Sequence, residues 1–192
     1  NGDLNVSLLE VGGGTNSIAI NSGSQMSVAD GVHFNSSGGA LNISGDGDLI
    51  CNDDFTLDEA NSTINNSGNL TVNGDLVFDA ANNNTTGVLS VGGNINFNGA
   101  ANDITNDGQF ILSGSFLGIN IAGVTENTAS GTWVWNYTGS TWDLDILSVF
   151  IDNGTFGYGA SGNQNIIPLS YSDLTIGGSG TLTWSLILNQ SL

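Results

Sequence analysis

The feature that most constrains this chain is a glycine that recurs at a roughly even interval and is each time followed by a short alternating strand. Glycines 39, 68, 87, 108, 131, 154 and 180 each precede four residues whose second and fourth members are apolar, as in Asn69-Leu70-Thr71-Val72, Gln109-Phe110-Ile111-Leu112 and Thr132-Trp133-Val134-Trp135. The intervals are 29, 19, 21, 23, 23 and 26 residues. Alternation of period two marks a strand with one buried face. A repeat of twenty-odd residues is the length of one solenoid coil. A second strand follows the first, because Gly74-Asp75-Leu76-Val77-Phe78 aligns with Gly93-Asn94-Ile95-Asn96-Phe97 and, more loosely, with Gly114-Ser115-Phe116. A third element aligns Ala60 through Gly68 with Ala101 through Gly108. Glycine and asparagine mark the corners, since both tolerate positive φ.

The fold class this predicts is all-β: a single parallel β-solenoid (β-helix) over residues 1–192, with roughly eight or nine coils of about 19–29 residues. Coils stacked at about 4.8 Å would give a rod about 40 Å long. Leu41, Leu70, Leu89, Phe110, Trp133, Phe156 and Leu182 are expected to form one interior ladder. Ile43, Val72, Val91, Leu112, Trp135, Tyr158 and Trp184 are expected to form a second. A pair of antiparallel sandwiches is the competing architecture. The repeat itself and the scarcity of two-residue hairpin signals stand against it.

Composition narrows the partners. The chain has no Lys or Arg, 18 acidic residues and a formal charge of −18, and takes most of its polarity from 27 Asn, 22 Ser and 16 Thr beside 29 Gly. A surface without cations cannot neutralise phosphates, so nucleic acid is excluded as a partner. Binding to anionic lipid fails for the same reason, and no stretch approaches a membrane-spanning helix. Trypsin has no cleavage site, which suits exposure to proteases. Copies repel one another at low salt, so self-assembly should lean on divalent cations, screening or backbone pairing at the ends. The single Cys51 allows no intrachain disulfide. Asn1-Gly2-Asp3 does not begin a signal peptide, which reads as a processed chain or an excised segment.

The run Gly162-Asn163-Gln164-Asn165-Ile166-Ile167-Pro168-Leu169-Ser170-Tyr171-Ser172-Asp173-Leu174-Thr175-Ile176-Gly177-Gly178-Ser179-Gly180-Thr181 resembles a repeat of large secreted surface proteins of Bacteroidetes-type bacteria. The pattern there is Gln, Ile-Pro, Tyr-x-x-Leu-x-Ile, then Gly-x-Gly-Thr. Asn69-Leu70-Thr71-Val72-Asn73-Gly74-Asp75-Leu76 and Thr132-Trp133-Val134-Trp135 look similar. The resemblance implies export, stacked β-repeats and surface display rather than a reaction.

Six carboxylates crowd one stretch: Asp46, Asp48, Asp53, Asp54, Asp58 and Glu59. Hard cations take several oxygen ligands, so calcium is the one cofactor suggested; the plainer reading is a solvated acidic turn. The spacing is not an EF-hand, since position twelve from Asp46 is Leu57. Trp133, Trp135, Tyr137 and Trp142 could stack on sugar rings, but the first two share the inward parity and read as core. His33, the only histidine, lacks partners for a triad or a zinc site and reads as a strand or surface residue. Cys51 reads as a small buried apolar residue. Asp143 and Asp145, with Asp152 near the next turn, are the only carboxylates placed for paired-acid hydrolysis, and nothing else marks a catalytic site. Among eleven Asn-x-Ser/Thr sequons, Asn136 and Asn153 are candidate glycosylation sites.

The expected function is that of a non-enzymatic extracellular or cell-surface structural protein. In it, a solenoid subunit or stalk segment joins end to end, either with flanking repeats of the same chain or with other copies. The alternative is an adhesin module that binds glycans. The segment from Thr181 to Leu192 is apolar and lacks the polar outer face of a capping repeat, so Leu182, Trp184, Leu186, Ile187, Leu188 and Leu192 are the expected assembly interface.

Overall fold

The structure, a computed structural model, describes residues 2–98, 101–118, 120–139, 147–166 and 170–184. Among these residues there is no helix, and every registered strand pair is parallel. The chain winds as a three-faced β-solenoid of about eight turns, as the repeat predicts.

Each full coil contributes one short strand to each face. The first face begins with Asp3–Val6, Gln25–Val28, Asp48–Cys51 and Asn69–Val72 and runs on to Asp173–Ile176, making nine strands. The second face holds six strands from Leu9–Gly12 to Phe116–Gly118, and the third holds seven from Ser17–Ile20 to Leu147–Asp152. Asp3, Gln25, Asp48, Asn69, Val88, Gln109, Thr132, Thr155 and Asp173 are equivalent positions, so the first-face repeat runs from 18 residues (155 to 173) to 23 (25 to 48).

Leu70, Leu89, Phe110, Trp133 and Phe156 form one interior ladder as expected, and Val72, Val91, Leu112, Trp135 and Tyr158 form the other. Both predicted ladders are corrected at their ends. Leu41 and Ile43 lie on the third face, paired with Ile18 and Ile20; Leu49 and Cys51 hold the positions next to Leu70 and Val72. Leu182 and Trp184 belong to a strand paired with Gln164–Ile166, and Leu174 and Ile176 follow Phe156 and Tyr158 on the first face. The physical reason is that a glycine before an alternating strand marks a sharp corner, and the solenoid has more than one corner per coil. Gly39 and Gly180 precede strands of other faces, which accounts for the long intervals of 29 and 26 residues.

One column of corner glycines has a specific cause. A Cβ on Gly87 or Gly108 would overlap the carbonyl oxygen of Gly68 or Gly87 in the coil before, and Gly154 stands in the same relation to Gly131. Close backbone approach selects glycine there. At another corner the chain turns through the left-handed region instead, at Gly38 (φ 70°), Asn61 (63°), Ala80 (52°) and Ala101 (63°), one residue per coil in equivalent positions.

The core is a continuous column of Val, Leu, Ile and Phe, joined toward the C-terminal coils by Trp133, Trp135 and Tyr158. Phe110 and Trp133 stack with ring centres 4.1 Å apart and planes within 4°, and Trp133 lies parallel to Phe156 at 6.5 Å. Phe78, Phe97 and Phe116 stack at 6.0 and 6.1 Å on the second face. Such columns follow from parallel in-register pairing, which places like side chains one above another.

Candidate functional site: carboxylate corners and open strand edges

The six clustered carboxylates are separated by the winding of the coil. Asp46 lies at the corner between third and first faces, and Asp48 opens a first-face strand. Asp53 and Asp54 occupy the next corner, and Asp58 and Glu59 the one after. What the fold brings together is carboxylates of different coils. Register places Asp53 beside Asp30, and Asp54 beside Asp75, whose backbone N–H donates to Asp54 Oδ1 at 2.7 Å. The backbone N–H of Asn94 donates to Asp75 Oδ1 at 2.7 Å and that of Ser115 to Asn94 Oδ1 at 3.0 Å, so the corner is a side-chain-to-backbone ladder. Asp46 accepts from Ser22 Oγ, and that bond, followed by bonds from the backbone of Asp46 and Gly23, holds its carboxyl below its ordinary value of 3.8. Asn69 Nδ2 donates to Asp48 at 2.6 Å. Among the described residues no three of His, Cys, Asp and Glu converge on one point.

Cys51 is buried in the second ladder, with its thiol donating to the carbonyls of Asp53 and Asp54 at 3.2 and 3.3 Å. Burial pushes the thiol above its ordinary value. His33 projects from the middle of a second-face strand, half exposed, with Nδ1 3.8 Å from Asp58 Oδ2. Trp133 and Trp135 are buried core residues and Tyr137 packs partly buried against them, while Trp142 lies outside the described residues. Asp143 and Asp145 also lie outside them. Asp152 ends a polar column: Asn127 Nδ2 donates to its Oδ1 at 2.8 Å, and the backbone N–H of Ser172 donates to its Oδ2 at 3.2 Å.

That column was not foreseen as interior. Ile43, Asn66, Thr85, Asn106, Asn127 and Asp152 stack at the last position of the third-face strands. Asn106 Nδ2 donates to Asn127 Oδ1 at 2.8 Å and to Thr132 O at 3.1 Å, and Asn127 Nδ2 also donates to Thr155 O at 3.1 Å. The signal was present in the alignment of Ala60–Gly68 with Ala101–Gly108, which sets Asn66 and Asn106 at the same step before their glycines.

Of the glycosylation candidates, Asn153 is exposed at a corner, with Nδ2 3.4 Å from Glu126 Oε1, and Asn136 is half-buried, its N–H bonded to Leu112 O at 2.8 Å. Asn83, another sequon asparagine, is fully buried against Thr85.

The first coil carries the clearest open surface. Asp3–Val6, Leu9–Gly12 and Ser17–Ile20 each stand at the end of their sheet, with one neighbour apiece among the described residues. Leu4 is 50% exposed, and a groove of about 180 Å³ runs past it between Ile20, Gln25 and Met26. At the other end, Asp173–Ile176 and Leu182–Trp184 also end their sheets, and Ile176 is 55% exposed. Of the expected interface, Leu182 is half-buried against the core, and Leu186, Ile187, Leu188 and Leu192 lie outside the described residues. The side chain of Trp184 is likewise not described. Comparison with protein-family models, with curated proteins and with solved structures finds no match for this chain.

Proposed function

We propose that this chain is a structural segment of an extracellular or cell-surface protein, without enzymatic activity, whose coils continue by end-to-end stacking. The continuation is with flanking repeats of the same polypeptide or with other copies. The observation that carries this reading is the open first coil, where three strand edges and the apolar Leu4 lie together at one end of the rod. Unpaired edges form hydrogen bonds with any strand that fits them, and a parallel coil is the geometry that satisfies all three at once.

Charge placement supports axial rather than lateral growth. Fifteen of the 18 carboxylates fall between Asp30 and Asp152, leaving only Asp3, Glu10 and Asp173 near the ends. Side-by-side contact between rods sets carboxylate corners against one another, whereas end contact largely avoids them. The lack of trypsin sites and the run of sequons fit a secreted setting.

The test is sedimentation velocity and negative-stain microscopy of the full chain at high concentration, with salt and calcium present to screen the carboxylates. Linear assemblies are expected, and Leu4→Asp should abolish them while leaving the circular dichroism spectrum unchanged. A wild-type chain that stays monomeric under those conditions would count decisively against copy-to-copy stacking. Assembly that survives Leu4→Asp would move the contact away from the first coil.

A further inference from the structure

The first face carries a patch unlike the rest of the surface. Between Asp48 and Asp173, every outward side chain on its five intervening strands is uncharged, although the molecule carries −18. The strands run in unbroken register, so Thr71, Ser90, Ile111, Val134 and their neighbours form a regular grid about 4.8 Å from coil to coil. The other faces differ. Carboxylates line both corners of the second face (Asp53, Asp54 and Asp75 on one side, Asp58, Glu59 and Asp79 on the other), and the third carries Asp103 and Glu126 outward.

We propose that this patch binds an uncharged polysaccharide lying flat across several coils. An anionic partner would be repelled by the whole molecule, and a cationic one would be drawn to the carboxylate corners, so the neutral face fits a neutral ligand. Threonine and serine hydroxyls with the amides of Asn69 and Gln109 supply donors and acceptors, and the methyl groups of Val88, Ile111 and Val134 meet the C–H faces of sugar rings. A second copy of the same face would bury those hydroxyls and amides against one another with few matched partners, which costs free energy. Trp133 and Trp135 point inward, so binding rests on many weak contacts repeated along a rigid grid, which gain strength by being made together. This inference stands apart from end-to-end stacking, which uses the strand edges.

The experiment is co-sedimentation of the full chain with microcrystalline cellulose and with chitin. Ser90→Glu/Thr132→Glu puts charge on the patch; Thr56→Glu/Asn96→Glu puts the same charge on the second face; Ser90→Asn/Thr132→Asn is a neutral control on the patch. The wild type should be retained on at least one polysaccharide. The charged patch variant should bind about tenfold more weakly or worse, since it desolvates an unpaired carboxylate, while the other two bind as the wild type does. Melting by circular dichroism verifies that all are folded, and if the charged patch variant is not, Ile111→Asp replaces it with the same expectation. No retention of the wild type on either polysaccharide overturns the proposal, as does equal weakening by second-face charges. A change in oligomeric state specific to the charged patch variant, without wild-type binding, would assign the face to a second copy instead. Unchanged linear assembly in the patch variants separates this result from the stacking reading.

Discussion

At the scale of single residues, the fold asks for backbone conformations that the side chains do not all favour. Gly38, Asn61, Ala80 and Ala101 turn through the left-handed region at equivalent corners, and only the first two are residue types that do so readily. An alanine there carries about 1–2 kcal/mol of steric cost, against which glycine adds unfolded-state entropy of about 0.4–1 kcal/mol. Ala80→Gly should therefore stabilise the chain by about 0.5–1 kcal/mol, read as a higher midpoint in urea. A loss of stability would show that the corner is not held in that conformation. The sequence reading assigned the sharp turns to glycine and asparagine and so had no means of placing Ala80 or Ala101, whose conformation is imposed by the stack rather than by local preference.

Among the elements, strand pairing explains the apolar ladders and the polar column explains how the third face is held. Leu70, Leu89 and Phe110 were legible because alternation and glycine spacing agree over those coils. The ends were not, because Gly39 and Gly47 both precede alternating strands and only the winding tells them apart. The buried asparagines were missed for a related reason: an asparagine beside a glycine reads as a turn residue, and its burial depends on the coil above supplying partners. Asn127 accepts from Asn106 and donates to Asp152 and Thr155, so Asn127→Ala strands three groups in the interior. The expected loss is about 3 kcal/mol, from buried polar groups left unpaired. Chemical denaturation measures it; a change under about 0.5 kcal/mol, the size of an ordinary surface substitution, would mean the column is decorative. The clustered acids show the same limit in the functional reading. Asp46 through Glu59 are close in sequence, but a coil that turns three times in that span disperses them and sets Asp54 against Asp75 instead.

For the whole molecule, the unusual property is that acid removes charge without replacing it. With 18 carboxylates, no Lys or Arg and one histidine, protonation takes the side-chain charge from −18 toward +1 rather than to a strongly positive value. The usual acid-denaturing repulsion is absent, and the one His–carboxylate contact is the half-exposed pair of His33 and Asp58. One group opposes this trend. Asp46 has a lowered pKa in the folded chain, so its contribution is present above the ordinary carboxylate range and is lost as pH falls through that lowered value. It is a single exposed residue against the relief of repulsion across the whole rod. At about pH 3, below the usual carboxylate range, the chain should keep its β circular dichroism signal and associate more strongly than at neutral pH. Unfolding there would mean that ionised carboxylates contribute more to the fold than their hydrogen bonds indicate.

All of these expectations depend on the register of the first face, and cysteine pairing measures it directly. In a Cys51→Ala background, Thr71→Cys with Ser90→Cys places two outward thiols on adjacent coils, about 4.8 Å apart along the stack and within disulfide reach. Thr71→Cys with Ile111→Cys spans two coils, about 9.6 Å, and is out of reach. Mild oxidation should close an intramolecular disulfide in the first pair and not in the second. Closure in the second pair, or failure in the first with the chain folded, would contradict the three-faced solenoid.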